Sequence, residues 1–104
     1  MTTRSLTLVR IYVRESEHLL ERVVRYLHND TQAAGITVLR GIEGHAGSDR
    51  PQPAFLVDLS LDLPIIIEFL ETPERADAII HSLIRRFPLP HIVSWPAFGH
   101  GCSD

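Results

Sequence analysis

"LTLVRIYVRESEHLLERVVRYL", residues 6–27, changes its periodicity once, and that change decides the fold. Up to Val13 the chain is β-branched and aromatic at strand spacing. Thr7, Val9, Ile11 and Val13 fall on one face, and Leu6, Leu8, Arg10 and Tyr12 on the other. From Leu19 the apolar residues recur at helical spacing, through Leu20, Val23, Val24 and Leu27, with Glu21, Arg22 and Arg25 on the wet side. Ser16 offers an N-cap, with Glu17 in the positive first turn. The stretch "HNDTQAAG" weakens the helix, which should end between His28 and Ala34, with Gly35 as the natural stop.

The same reading extends outward. "ITVLRGI", residues 36–42, is a second strand, and "PIIIEFL", residues 64–70, a third that is apolar enough to bury both faces. Between them "AFLVDLSLDL", residues 54–63, alternates like an extended arm. A second helix starts at Thr72 or Pro73, buries Ala76, Ile79, Ile80, Leu83, Ile84 and Phe87, and ends at Pro88. "HIVSWPAF", residues 91–98, is a short last strand in which Pro96 suits an edge, and the tail from about residue 98 is expected to be disordered. Strand, helix, strand, strand, helix, strand is the order of an α+β ferredoxin-like βαββαβ sandwich with an antiparallel four-stranded sheet, here as one domain over residues 1–104.

Two helices cover only one face of such a sheet. Leu6, Leu8 and Tyr12, with either the Ile65, Ile67 and Phe69 set or the Ile66 and Leu70 set, are left on the other. Burying each is worth roughly 1.5–3 kcal/mol, which favours sheet-to-sheet assembly into a homo-oligomer. The alternative cover is the 54–63 arm folded back.

Composition narrows the function classes. Net charge is -3, and all 10 basic residues are arginines without a clustered run, which speaks against a nucleic-acid partner. Arg10 and Arg14 interrupt the apolar N-terminal stretch and argue against membrane insertion. With the single Cys102, they lead to a cytoplasmic expectation. Ser48, Ser60, Ser82 and Cys102 stand outside any nucleophile elbow, triad order or acid pair, so no enzyme activity and no catalytic residue are expected.

"GITVLRGIEGHAGSDR", residues 35–50, followed by "LVDLSLDLPIIIEFLET", residues 56–72, resembles the paired signature of the PII-like proteins of the domain of unknown function 190 family. The resemblance spans nearly all of the chain. It implies a PII-like fold assembled as a homotrimer, with the loop after the second strand as counterpart of the PII T-loop. It further implies a cytoplasmic signalling protein that senses a small anionic metabolite, such as an adenine nucleotide acting as effector, in clefts between subunits. The regulated partner would be a protein such as a membrane transporter, since members of the family are associated with fluoride-exporter genes.

The ligand-binding positions this implies are Arg40, Gly41, Gly44, His45, Gly47, Ser48 and Arg50. Physically, glycines let backbone N–H groups converge on an anion, and arginine presents a fork for phosphate or carboxylate. The same residues also fit a plain connection whose arginines pair with Glu43, Asp49 or Asp58. After the second helix the chain reads "RRFPLPH", which lacks the glycine- and lysine-bearing loop of PII proteins, and residues 41–56 lack the T-loop tyrosine. Glu68 is the other implied position, near a nucleotide base; its alternative is a half-buried acid paired with Arg10 or Arg40.

Two competing classes remain. One is a trimeric interaction scaffold that needs no ligand. The other is a metal-binding protein of the copper-tolerance type, for which His100, Cys102, His91 and His45 are the available donors, without a local ligand motif.

Overall fold

The computed structural model describes residues 2–42 and 63–101. Strand β1 (Thr2–Arg14) begins four residues before the apolar run and lies inside a four-stranded antiparallel sheet. The others are β2 (Ala34–Arg40), β3 (Pro64–Glu71) and β4 (His91–Gly101), in spatial order β2-β3-β1-β4. Helices α1 (Leu20–Tyr26) and α2 (Pro73–Arg86) complete the ferredoxin-like α+β order.

The register sorts the side chains by face. Val9 lies opposite Phe69 and Ile11 opposite Ile67. These residues, with Val13 and Ile65, are buried beneath Leu19, Val23 and Leu27 of the α1 region and Ala76, Ile79 and Leu83 of α2. On the other face Leu8 stands between Leu70 and Trp95, Arg10 between Glu68 and Val93, and Tyr12 between Ile66 and His91. Those β1 and β3 residues are only half-buried. Thus β3 buries one face within the chain rather than two, because both helices lie on the Ile65, Ile67 and Phe69 side.

Several local expectations are corrected. Ser16 does not cap α1. It sits in a separate 3-10 turn, Glu15–Glu17, where the Glu17 carboxylate accepts the Arg14 N–H at 2.7 Å and His18 adopts a left-handed conformation with φ 55. Helix α1 follows from an N-cap at Leu19 and runs into a π-helical turn, Leu27–Thr31. There the Leu27 carbonyl accepts the Thr31 hydroxyl at 2.7 Å and the Ala33 N–H at 3.0 Å, and Gln32, with φ 56, turns the chain. Gly35 is therefore not the helix stop. It lies in β2 with φ 61, inside the register shift between Ala34 and Thr37, where a bulge needs a residue tolerant of positive φ.

Helix α2 begins as expected, with Pro73 in its first turn after Thr72, whose carbonyl accepts the Ala76 N–H at 2.8 Å. Its buried ladder is Ala76, Ile79, Leu83 and Phe87. Ile84, assigned to that stripe from spacing, is 59% exposed because it lies along the flank beyond half-buried Ile80. β4 is longer than expected: Gly99–Gly101 continue its pairing with Thr2–Arg4, so the chain is strand through Gly101. Pro96 lies on the edge strand. Residues 54–62 of the proposed arm and residues 102–104 lie outside the described residues.

A carboxylate latch ties the helix-to-strand crossings together. Buried Glu71, the last residue of β3, accepts the Ala34 N–H at 2.9 Å and Arg75 Nε at 2.9 Å, while Arg75 Nη2 donates to the Thr31 carbonyl at 2.6 Å. Burial by itself pushes the Glu71 carboxyl up. The hydrogen bonds from Arg75 and Ala34, with the charge of Arg75, outweigh that, and the group titrates below the ordinary carboxylate range. A depressed folded-state pKa contributes stability that is complete above the unfolded value, about 4.3, and lost as pH falls through the folded value. Urea midpoints of the wild type should therefore drop as the pH is lowered below about 4.3, and Glu71→Gln should flatten this drop while lowering stability at pH 7.

Candidate functional site

The two ends of the connection between β2 and β3 meet beside the start of α1. Gly41, one residue beyond β2, donates its N–H to the Pro64 carbonyl at 2.8 Å, and Glu15 donates its N–H to the Leu63 carbonyl at 3.4 Å. Gly41 has a steric reason to lack a side chain, since a Cβ there would stand 2.7 Å from Pro64 Cγ. Glycine therefore permits the chain to leave β2 in close contact with the strand that receives it.

Arg40 ends β2 on the helix-facing side, opposite Ile65. Its guanidinium is paired with the Glu15 carboxylate, contributed by the 3-10 turn after β1. Around this pair opens a cleft of about 410 Å³, lined also by His18, Glu21 and Arg22 over an apolar base of Leu20 and Ile65. The Arg22 guanidinium lies 5.5 Å from the centre of the Phe87 ring. Two guanidiniums and an imidazole here face two carboxylates, a lining able to exchange an internal counter-ion for an incoming oxyanion.

Of the implied ligand positions, Arg40 lines this cleft and Gly41 follows it directly in the chain. Glu68 points to the opposite face of the sheet, where its Oε1 accepts Arg10 Nε at 2.8 Å. That hydrogen bond, followed by one with Tyr12, raises the Arg10 pKa above its ordinary value. The Trp95 ring lies against the Arg10 guanidinium, with its centre 5.6 Å away. Of the two partners considered for Glu68, Arg10 is the one the structure provides, and Arg40 takes Glu15. Gly44, His45, Gly47, Ser48 and Arg50 lie outside the described residues, as do Glu43, Asp49 and Asp58.

Sequence reading missed Glu15, His18 and Arg22 as neighbours of Arg40. The available signal was the polar run "RESEH" directly after β1, read as a helix start rather than as a separate turn. Among the described residues no group of three histidine, cysteine or acidic side chains is placed to hold a metal ion. No helix among them is long and apolar enough to cross a membrane.

The sheet order and the two one-sided helices define an α+β protein of ferredoxin-like fold. Residues 6–97 match the model of domain of unknown function 190, described as an uncharacterized ACR, and the chain belongs to that family. Among solved structures, CPII, a nitrogen regulatory PII-like protein from Thiomonas intermedia K12 bound to ADP, AMP and bicarbonate, superposes with TM-score 0.65 at 12% identity over 99% of both chains. A PII-like signalling protein of Thermus thermophilus has TM-score 0.62 at 20% identity, covering 95% of this chain and 91% of its own. CutA1 from Oryza sativa has TM-score 0.63 at 17% identity, covering 97% and 87%. At these identities the likeness establishes the fold. No curated protein matches the sequence significantly.

Replacement of Arg40 and of Gly41 should separate the cost of losing an exposed ion pair from that of crowding a close backbone contact. Arg40→Ala should cost at most about 1 kcal/mol, because the Arg40 side chain of the pair is 54% exposed. Gly41→Ala should cost about 1–3 kcal/mol through overpacking against Pro64. Urea denaturation of both variants beside the wild type provides the comparison.

Proposed function

We propose that this chain is a PII-like regulatory protein that assembles as a homotrimer and binds a small anionic metabolite, with an adenine nucleotide as the favoured effector. The observation that carries the reading is the placement of Arg40 and Gly41 at the root of the β2–β3 connection, with Glu15 as internal counter-ion to Arg40. An anionic ligand competes with Glu15 for the guanidinium. Its binding therefore alters the anchor of the segment that follows, and the rearranged segment docks on a partner protein such as a membrane transporter. The PII-like neighbour CPII, bound to ADP, AMP and bicarbonate in its solved structure, supports this ligand class.

In this reading Arg40 and Gly41 act with Gly44, His45, Gly47, Ser48 and Arg50 in cradling the anion. Arg40 and Glu68 are on opposite sheet faces of one chain, so they serve one ligand only where Glu68 comes from another copy. This geometry matches a site between subunits. The chain acts without catalysis, as a sensor in the cytoplasm.

One observation favours a second reading. Arg40 is already ion-paired within the chain, which is what a scaffold that needs no ligand would contain. Thermal unfolding in the presence of ATP, ADP, AMP, cyclic AMP and bicarbonate, for the wild type and Arg40→Ala, separates the two. The sensor reading predicts that one adenine nucleotide, at about 100 times its dissociation constant, adds about 2.7 kcal/mol of stability and that Arg40→Ala loses most of this. No response to any of them would leave the scaffold.

A further inference from the structure

A second cleft, of about 270 Å³ and not lined by Arg40, lies between α1 with its π-helical turn and the C-terminal end of α2. Its lining includes Arg22, Arg25, Tyr26, Asp30, Arg86 and Phe87. The two aromatic rings meet edge to face with centroids 5.6 Å apart. Each ring carries a guanidinium: Arg86 lies 4.6 Å from the centre of Tyr26, and Arg22 lies 5.5 Å from the centre of Phe87. The Tyr26 hydroxyl is hydrogen-bonded to Ser82, which fixes the ring beneath Arg86.

Charge in this cleft is unbalanced. Three arginines line it against one carboxylate, Asp30. Arg25 reaches Glu21 at 3.7 Å, whereas Arg22 and Arg86 have no carboxylate within ion-pair distance among the described residues. A guanidinium held over an aromatic face is pre-oriented while its N–H edge stays available, so two such groups on adjoining rings form a fork-and-fork receptor for one oxyanion. The cleft has room for a phosphate group with a few further atoms and is too small to enclose a protein element.

We propose that this cleft is a second anion site, separate from the one at Arg40, and that it takes a phosphate group carried by a small molecule. Arg86 and Arg22 grip the oxygens, Arg25 supplies the third positive charge, and Asp30 disfavours more highly charged clusters of anions. Arg22 borders both clefts, so occupancy here bears directly on the lining of the Arg40 cleft.

The test uses the full chain, titrated with inorganic phosphate and separately with pyrophosphate at constant ionic strength set by sodium chloride. Proton–nitrogen spectra of the arginine side chains are the readout. Saturable shifts of the Arg22 and Arg86 Nε–H signals, with Arg4 unmoved, are expected with at least one of the two probes. Arg86→Gln should weaken binding at least ten-fold, and Arg40→Ala should leave it within about two-fold. Uniform or non-saturating shifts of all arginines overturn the proposal, as does unchanged affinity in Arg86→Gln. A loss on Arg40→Ala equal to that on Arg86→Gln also overturns it by assigning the anion to the other cleft. Should Arg86→Gln fail to fold, the wild-type shifts decide by themselves.

Discussion

Two helices can shield one side of a four-stranded sheet, and the other side, the open face, is one that no described helix covers. On the shielded face, β-branched residues and Phe69 form a continuous core beneath α1 and α2. On the open face the register gathers Leu8, Tyr12, Ile66 and Leu70, with Trp95 from the edge strand 39% exposed. At its centre stands the Arg10–Glu68 pair, each side chain no more than about a third exposed. An ion pair set among apolar neighbours is poorly placed for a solvated surface and well placed for an interface, where it fixes register at the cost of desolvation. The proposed trimer supplies that cover by directing three such faces inward.

The open face also bears on the site. If the sheets face one another, the helices and the root of the β2–β3 connection lie toward the outside and toward neighbouring edges. Arg40, Glu15 and His18 are held there by short-range structure: the 3-10 turn after β1, the left-handed His18, and the contact of Gly41 with Pro64. The Glu71–Arg75 latch lies at the other end of β3 and joins the π-helical turn to the head of α2. Both ends of β3 are thus tied down by charged groups, one buried within the fold, the other half-exposed and open to exchange.

Much of this architecture was legible in the sequence because strand and helix periods are written in side-chain polarity. The two faces of β1 and the start of α2 at Pro73 follow directly from spacing. What escaped has a common cause: backbone hydrogen bonding that polarity does not encode. Ser16 has the chemistry of a cap, yet Glu17 closes its own turn first. Gly35 has the chemistry of a helix stop, yet the Leu27 carbonyl collects the turn's donors earlier and leaves Gly35 to the bulge. Gly99–Gly101 carry too little apolar pattern to announce a strand, but the early start of β1 at Thr2 gives them a template. Of the site, Arg40 and Gly41 were legible through the family signature. Glu15 was not, because its partnership with Arg40 joins residues distant in sequence through the fold.

The most direct measurement is the mass of the purified chain in solution, by sedimentation equilibrium across a wide concentration range. The proposed trimer predicts a single species at three times the 11.7 kDa of the chain, and Arg10→Ala should shift it toward smaller species. A species of 11.7 kDa that persists to the highest concentrations would contradict the account, because the second sheet face would then need no second copy to cover it.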